Sequence, residues 1–149
     1  MLSHTTKLSD ADLSTADAIF FCGGHGTCVD FIDETSVKTS IETIYGAGKV
    51  VAAVCHGPNC LPQCVKPGSD EPLVKGLTVT AFTDTEEDAV QLSKTVKFLI
   101  ESKLREQGCI FERADDWNSK VCVDGNLVTG QNPQSSEACA EAVIKILSE

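Results

Sequence analysis

The stretch Val50-Val51-Ala52-Ala53-Val54-Cys55-His56-Gly57-Pro58 decides the fold. Five apolar residues run into one nucleophilic side chain, and Gly and Pro follow. A run without polar alternation predicts a strand covered on both faces. Gly57 and Pro58 predict a sharp turn into a helix over residues 59–65, with proline in its first turn. Such a turn exposes its nucleophile at the end of the sheet, as a nucleophile elbow does. The free N–H groups of a helix start are expected to favour the Cys55 thiolate and lower its pKa. A buried structural role is commoner for cysteine in general. In this context Cys55 reads instead as the nucleophile and as the most reactive of the eight thiols, with Cys22 and Cys122 expected to be buried.

Working outward, Ala18-Ile19-Phe20-Phe21-Cys22 is a second unalternated run, closed by Gly23-Gly24-His25-Gly26. Between the two runs Val37, Ile41, Ile44 and Tyr45 recur at helical spacing, with Ser36 as cap and Gly46 and Gly48 as stops. Strand, helix, strand is the unit of a parallel sheet. Thr78–Phe82 is a further strand on that sheet, followed by an acidic turn from Asp84 to Asp88. Val96 to Glu106 carries Val96, Leu99, Ile100 and Leu104 on one helical stripe, ended by Gly108. Val121–Val123, Asp124-Gly125 and Leu127–Thr129 predict a hairpin. A last helix is expected from about Asn132-Pro133, burying Ala138, Ala142, Val143, Ile146 and Leu147. The fold class is therefore α/β, a mostly parallel sheet sandwiched by helices, in one domain over residues 1–149 with residues 1–12 poorly ordered.

Composition excludes several partners. The net charge is −10 with no Lys/Arg cluster, so neither nucleic acid nor an anionic membrane would be attracted. Met1–Asp17 is polar and does not read as a signal peptide, and no run reaches transmembrane length. Eight cysteines in 149 residues fall below the density of a disulfide scaffold, so they read as reduced thiols in the cytoplasm.

Around Cys55 the turns supply further groups. In a parallel sheet both glycine turns lie at the carboxyl ends of neighbouring strands, where ligands bind. Backbone N–H groups of Gly24 and His56 could then face an oxyanion. His56 reads as proton carrier and His25 as a polar wall of the pocket. One carboxylate of Glu86-Glu87-Asp88 could orient the imidazole and complete a Cys/His/acid set; a capped, solvated helix start is the bland alternative. Cys22, His25 and Cys28 resemble half a zinc site, but no second half is present, so no metal and no cofactor are expected. Cys60 and Cys64 read as helix packing.

Four ordered blocks are similar to one family. Phe20-Phe21-Cys22-Gly23-Gly24-His25-Gly26-Thr27-Cys28-Val29-Asp30-Phe31, Ala53-Val54-Cys55-His56-Gly57-Pro58, Phe82-Thr83-Asp84-Thr85-Glu86-Glu87 and Leu127-Val128-Thr129-Gly130-Gln131-Asn132-Pro133-Gln134-Ser135 resemble the glyoxalase III-like branch of the ThiJ/PfpI superfamily. The resemblance runs from about Leu13 to the C-terminus and implies a flavodoxin-like sheet of the class I glutamine amidotransferase kind. It implies Cys55 as nucleophile, His56 as its neighbour, Glu87 as the orienting acid, and Gly24 with the His56 amide at the oxyanion site. The implied activity is cofactor-free conversion of methylglyoxal, a small 2-oxoaldehyde, to D-lactate, described also as D-lactate dehydratase. Members are further described as protein deglycases and as holdase chaperones.

The family begins with an extra strand, helix and strand, and the first strand carries a glutamate that serves as acid/base. No residue here matches it, since Asp10, Asp12 and Asp17 precede a different strand; Lys97 also stands where the family has proline. The chain is therefore expected to be N-terminally truncated relative to the family. The strand at Ala18–Cys22 is then left with an apolar edge, which a homodimer or a complementing N-terminal half would cover. A stress-related holdase chaperone or thiol redox sensor without turnover, and a catalytically dead truncated remnant, are the alternatives to an enzyme.

Overall fold

In the computed structural model, which describes residues 4–149, the two apolar runs are neighbouring parallel strands, β1 (Ala18–Phe21) and β2 (Val50–Val54), paired from Ala18↔Val50 to Phe21↔Ala53. The helical segments between them are α1 (Thr27–Asp30) and α2 (Thr35–Gly46). In α2 the Glu34 side chain accepts from Ser36 N, so the cap lies two residues before the expected Ser36. Val37, Ile41 and Ile44 are buried on the core side, as their spacing requires. All five residues of β2 are buried, which matches a strand covered on both faces.

β3 (Thr78–Val79) corrects an expectation. It is two residues long and pairs in parallel with β4 (Ile110–Phe111), forming a small sheet of its own. At Thr80 the backbone leaves the ladder and donates to the Thr129 hydroxyl at 2.9 Å, so the chain turns towards the main sheet without joining it. The acidic turn is α3 (Asp84–Ala89), and α4 (Ile100–Glu106) is shorter than the predicted Val96–Glu106 helix. The segment ahead of it closes in turns, with Thr95 N and Val96 N both bonded to Leu92 O.

The hairpin forms as expected from β5 (Val121–Asp124) and β6 (Leu127–Gly130), with Gly125 at φ +57°. β6 also runs parallel to β2, giving the main sheet the order β1-β2-β6-β5 with only β5 antiparallel. A 3₁₀ turn at Pro133–Ser135 leads into α5 (Ser136–Ser148), which buries Cys139 and Val143. Leu147 faces solvent, contrary to the pattern reading, while Ala142 and Ile146 pack against the core as expected.

Helix α2 packs on β1 and β2, and α5 on β2 and β6, so the sheet is flanked by helices and its core lies around β2. The expectation for residues 1–12 falls partly outside the described residues; within them Leu8–Asp10 form a 3₁₀ turn, and Leu8 packs against the core. No described helix is long and apolar enough to cross a membrane.

Candidate active site

The end of β2 has the geometry of an elbow. Cys55 sits at φ +61°, a left-handed conformation that non-glycine residues adopt rarely and at a cost of about 1–3 kcal/mol. The turn is held because Cys55 N donates to Gly130 O at 2.9 Å and Cys55 O accepts from Phe82 N at 3.0 Å. Gly57 allows it, since a Cβ there would lie 2.3 Å from Phe21 O. The segment after the elbow is a 3₁₀ helix, Gly57–Gln63, rather than the expected α-helix at residues 59–65, because Pro62 lies inside it.

The three residues read as nucleophile, base and acid meet in a row. Cys55 Sγ lies 3.3 Å from His56 Nδ1, and His56 Nε2 lies 2.7 Å from Glu87 Oε2. The other oxygen of Glu87 lies 2.7 Å from His25 Nε2. A carboxylate only accepts, so each imidazole places its proton on Nε2 toward Glu87. That tautomer leaves His56 Nδ1 as a lone pair facing the thiol. His56 and Glu87 are buried, whereas His25 is 39% exposed and forms the solvent side of the cluster. Glu87 comes from the first turn of α3, which the Thr83–Glu86 capping box fixes.

Electrostatics correct one expectation. Burial pushes the Cys55 thiol up to about 11, although the backbone N–H groups of His56 and Gly24 pull it down. Burial also lowers the pKa of His56, opposed by its bond to Glu87. The resting pair is therefore neutral thiol and neutral imidazole rather than a preformed thiolate. The two amides that act on the sulfur are those of the predicted oxyanion site. Cys22 is exposed, not buried, because β1 ends at Phe21 and the next side chain faces solvent. Cys122 is buried as expected.

The space above Cys55 is a pocket of about 410 Å³ whose walls include Gly24, His25, Phe82, Val90, Trp117 and Pro133. Phe82 lies over His56 at 4.3 Å between ring centroids, and Trp117 meets Phe82 edge-on at 5.7 Å. Sequence reading missed this aromatic wall. The signal available was the single tryptophan of the chain, placed after Asp115-Asp116 in a turn.

The zinc alternative does not assemble. Among the described residues the one metal-competent cluster is His25, His56 and Glu87, with ligand atoms within 4.8 Å of one another. Cys22 and Cys28 are not part of it, and Cys28 Sγ instead accepts from Asn59 Nδ2 at 3.3 Å.

Comparison with known proteins agrees with this architecture. The model of the DJ-1/PfpI family matches residues 1–146. A probable glutathione-independent glyoxalase of Schizosaccharomyces pombe is 38% identical over 99% of this chain and 68% of its own length. Glyoxalase 3 of Candida albicans is 36% identical over 96% of this chain, which spans 63% of that protein. The crystal structure of glyoxalase III from Candida albicans superposes with a TM-score of 0.86 at 35% identity, covering 93% of this chain and 60% of that one. The chain thus spans about two thirds of the length of these relatives. With the elbow, the parallel sheet and the family match in agreement, the chain belongs to the DJ-1/PfpI family, in its glyoxalase III-like branch.

Proposed function

We propose that this chain carries the nucleophilic site of a glutathione-independent glyoxalase that converts methylglyoxal to D-lactate in the cytoplasm. The observation that carries the reading is the continuous Cys55–His56–Glu87 chain of contacts at 3.3 and 2.7 Å beneath a pocket at the end of β2. The names of its relatives support the same substrate class.

The steps follow from the tautomer. His56 Nδ1 takes the proton of Cys55 as the sulfur adds to the aldehyde carbon, and Glu87 stabilises the imidazolium. The oxyanion meets the N–H groups of Gly24 and His56, then takes the proton back to give a hemithioacetal. Transfer of the C1 hydrogen to C2 through an enediol yields a lactoyl thioester, and water releases D-lactate and the free thiol. Cys55 supplies the sulfur itself, so no step requires glutathione.

The transfer from C1 to C2 needs a base facing the substrate, worth roughly 10²–10⁴-fold. No carboxylate lines the pocket among the described residues, and Glu87 is occupied by two imidazoles. The 149-residue chain is therefore expected to trap methylglyoxal faster than it turns it over. The test is D-lactate release from methylglyoxal without glutathione, beside intact-mass detection of a Cys55 adduct, with Cys55→Ser as control. Neither adduct nor D-lactate above the Cys55→Ser background would reject the reading. An adduct without D-lactate would favour a thiol-sensing role, and suppression of aggregation that survives Cys55→Ser a holdase role.

A further inference from the structure

Trp117 is the pocket residue whose position local structure explains least. Its backbone sits at φ +65°, where a bulky side chain is a strained outlier. Its indole nevertheless packs edge-on against Phe82, which in turn lies on His56. A conformation of this kind persists only where its surroundings over-determine it.

What holds it is Glu86, the neighbour of the acid Glu87. The Glu86 side chain has no exposure at all and meets five donors. Oε1 accepts from Trp117 N at 2.8 Å, Asn132 Nδ2 at 2.8 Å and Gln131 Nε2 at 3.2 Å. Oε2 accepts from Thr83 N at 3.0 Å and the Thr83 hydroxyl at 2.9 Å. Two of these partners extend the grip along the same loop: Gln131 Oε1 accepts from Ala114 N at 2.9 Å, and Asn132 Nδ2 also donates to Asn118 O at 2.7 Å. Burial alone would raise the pKa of this carboxyl, but the donors outweigh it and bring it below the ordinary value. One anion therefore ties together the start of α3, the loop 114–118 and the end of β6. Phe82, Trp117 and Pro133, three walls of the pocket, lie within or directly beside those segments.

We propose that Glu86 is a positioning residue whose buried carboxylate clamps the loop 114–118, so that Trp117 closes the pocket over Phe82 and limits the room for the substrate's substituent. Glu86 touches neither the nucleophile nor the substrate. It acts through Trp117, and the substituent-reading group is the indole. The kinetic arm of the test rests on the glyoxalase reading, and the spectroscopic arm does not.

The experiment is Glu86→Gln. A glutamine has one acceptor oxygen and an amino group, so it must turn donor against donor on one side of the clamp. Trp117 is the single tryptophan, so its emission reports this loop alone. The expected result is a red-shifted emission, easier acrylamide quenching, and a KM for methylglyoxal raised roughly tenfold with little change in kcat. A folded Glu86→Gln chain with the parent's emission and quenching would overturn the proposal, as would an unchanged KM. If the parent shows neither a Cys55 adduct nor turnover, the glyoxalase reading has failed, and emission and quenching still decide the clamp; if it shows an adduct without turnover, the methylglyoxal concentration dependence of adduct formation replaces KM. If Glu86→Gln does not fold, Trp117→Gly replaces it. Glycine relieves the positive φ, so Tm is expected to hold or rise while KM rises. A lowered Tm with unchanged KM in that variant would overturn the role of the indole.

Discussion

At Cys55 two influences oppose each other. Burial of the sulfur raises its pKa to about 11, while the amides of Gly24 and His56 draw it down. Only 8% exposed, the side chain is reached through the pocket, and a bulky reagent does not fit where a small aldehyde does. Cys22 lies in the open one residue past β1. A polymer-linked maleimide at pH 7 is therefore expected to label Cys22 first, whereas methylglyoxal accumulates on Cys55; peptide mapping after each reagent distinguishes the sites, and maleimide labelling of Cys55 ahead of Cys22 would contradict this ordering. Glu87 sets the tautomer of His56, and an amide in its place accepts from only one imidazole. Glu87→Gln is expected to slow adduct formation on Cys55 by about 10²-fold. Adduct kinetics measured across pH check this, and a rate within twofold of the parent would remove Glu87 from the mechanism.

At the level of elements, the turns carry the precision of the site. The glycine turn after β1 and the elbow after β2 approach so closely that Gly57 has no room for a methyl group beside Phe21 O. Gly57→Ala is expected to destabilise the fold by about 3 kcal/mol, the upper end for overpacking, because the clash is with backbone. Urea denaturation reads this directly, and a loss under about 1 kcal/mol would mean that the two turns can separate. β1 pairs only with β2 among the described residues, so its far side is open to another strand. Homodimerisation through that edge is the expected outcome in sedimentation at micromolar concentration, and a monomer free of aggregation would count against it. β1, β2, the hairpin and the elbow at Cys55-His56 were legible in the sequence because unalternated apolar runs and glycine turns are local signals, whereas Glu87 was singled out from Glu86-Glu87-Asp88 only by the family resemblance. β3 was overread because Thr80 looks like a strand residue until its N–H is seen to bond a side chain. The grip on Trp117 was illegible because it joins residues 86, 117, 131 and 132, whose proximity only the folded chain creates.

For the whole molecule, buried thiols set the alkaline limit. Burial raises the pKa of Cys55, Cys122 and Cys139 to about 11 and of Cys64 to about 12, against 9.0 in the unfolded chain. Each of these groups holds its proton when folded and loses it when unfolded between those values. Their contribution is complete below pH 9.0 and lost as pH rises through 11 to 12. Each thiol lowers stability by up to about 1.4 kcal/mol per pH unit in that window. Urea midpoints in reductant are expected to stay level from pH 7 to 8.5 and fall steeply above pH 9. A flat profile to pH 11 would show that the thiols ionise without unfolding. His56 acts at the other end: its pKa is depressed in the fold, so stability is lost as pH drops below 6.5.

The order of strands in the main sheet also governs how the chain is made. β2 is buried along its whole length, yet Val51 pairs with Leu127, which leaves the ribosome long after β1, α2 and β2 have emerged. Until then one flank of Val50–Val54 has no partner, and the nascent chain carries a bare apolar edge that other nascent chains can join. Demand for chaperones during synthesis is thus written into the position of β6 in the sheet, whatever the finished protein's own stability.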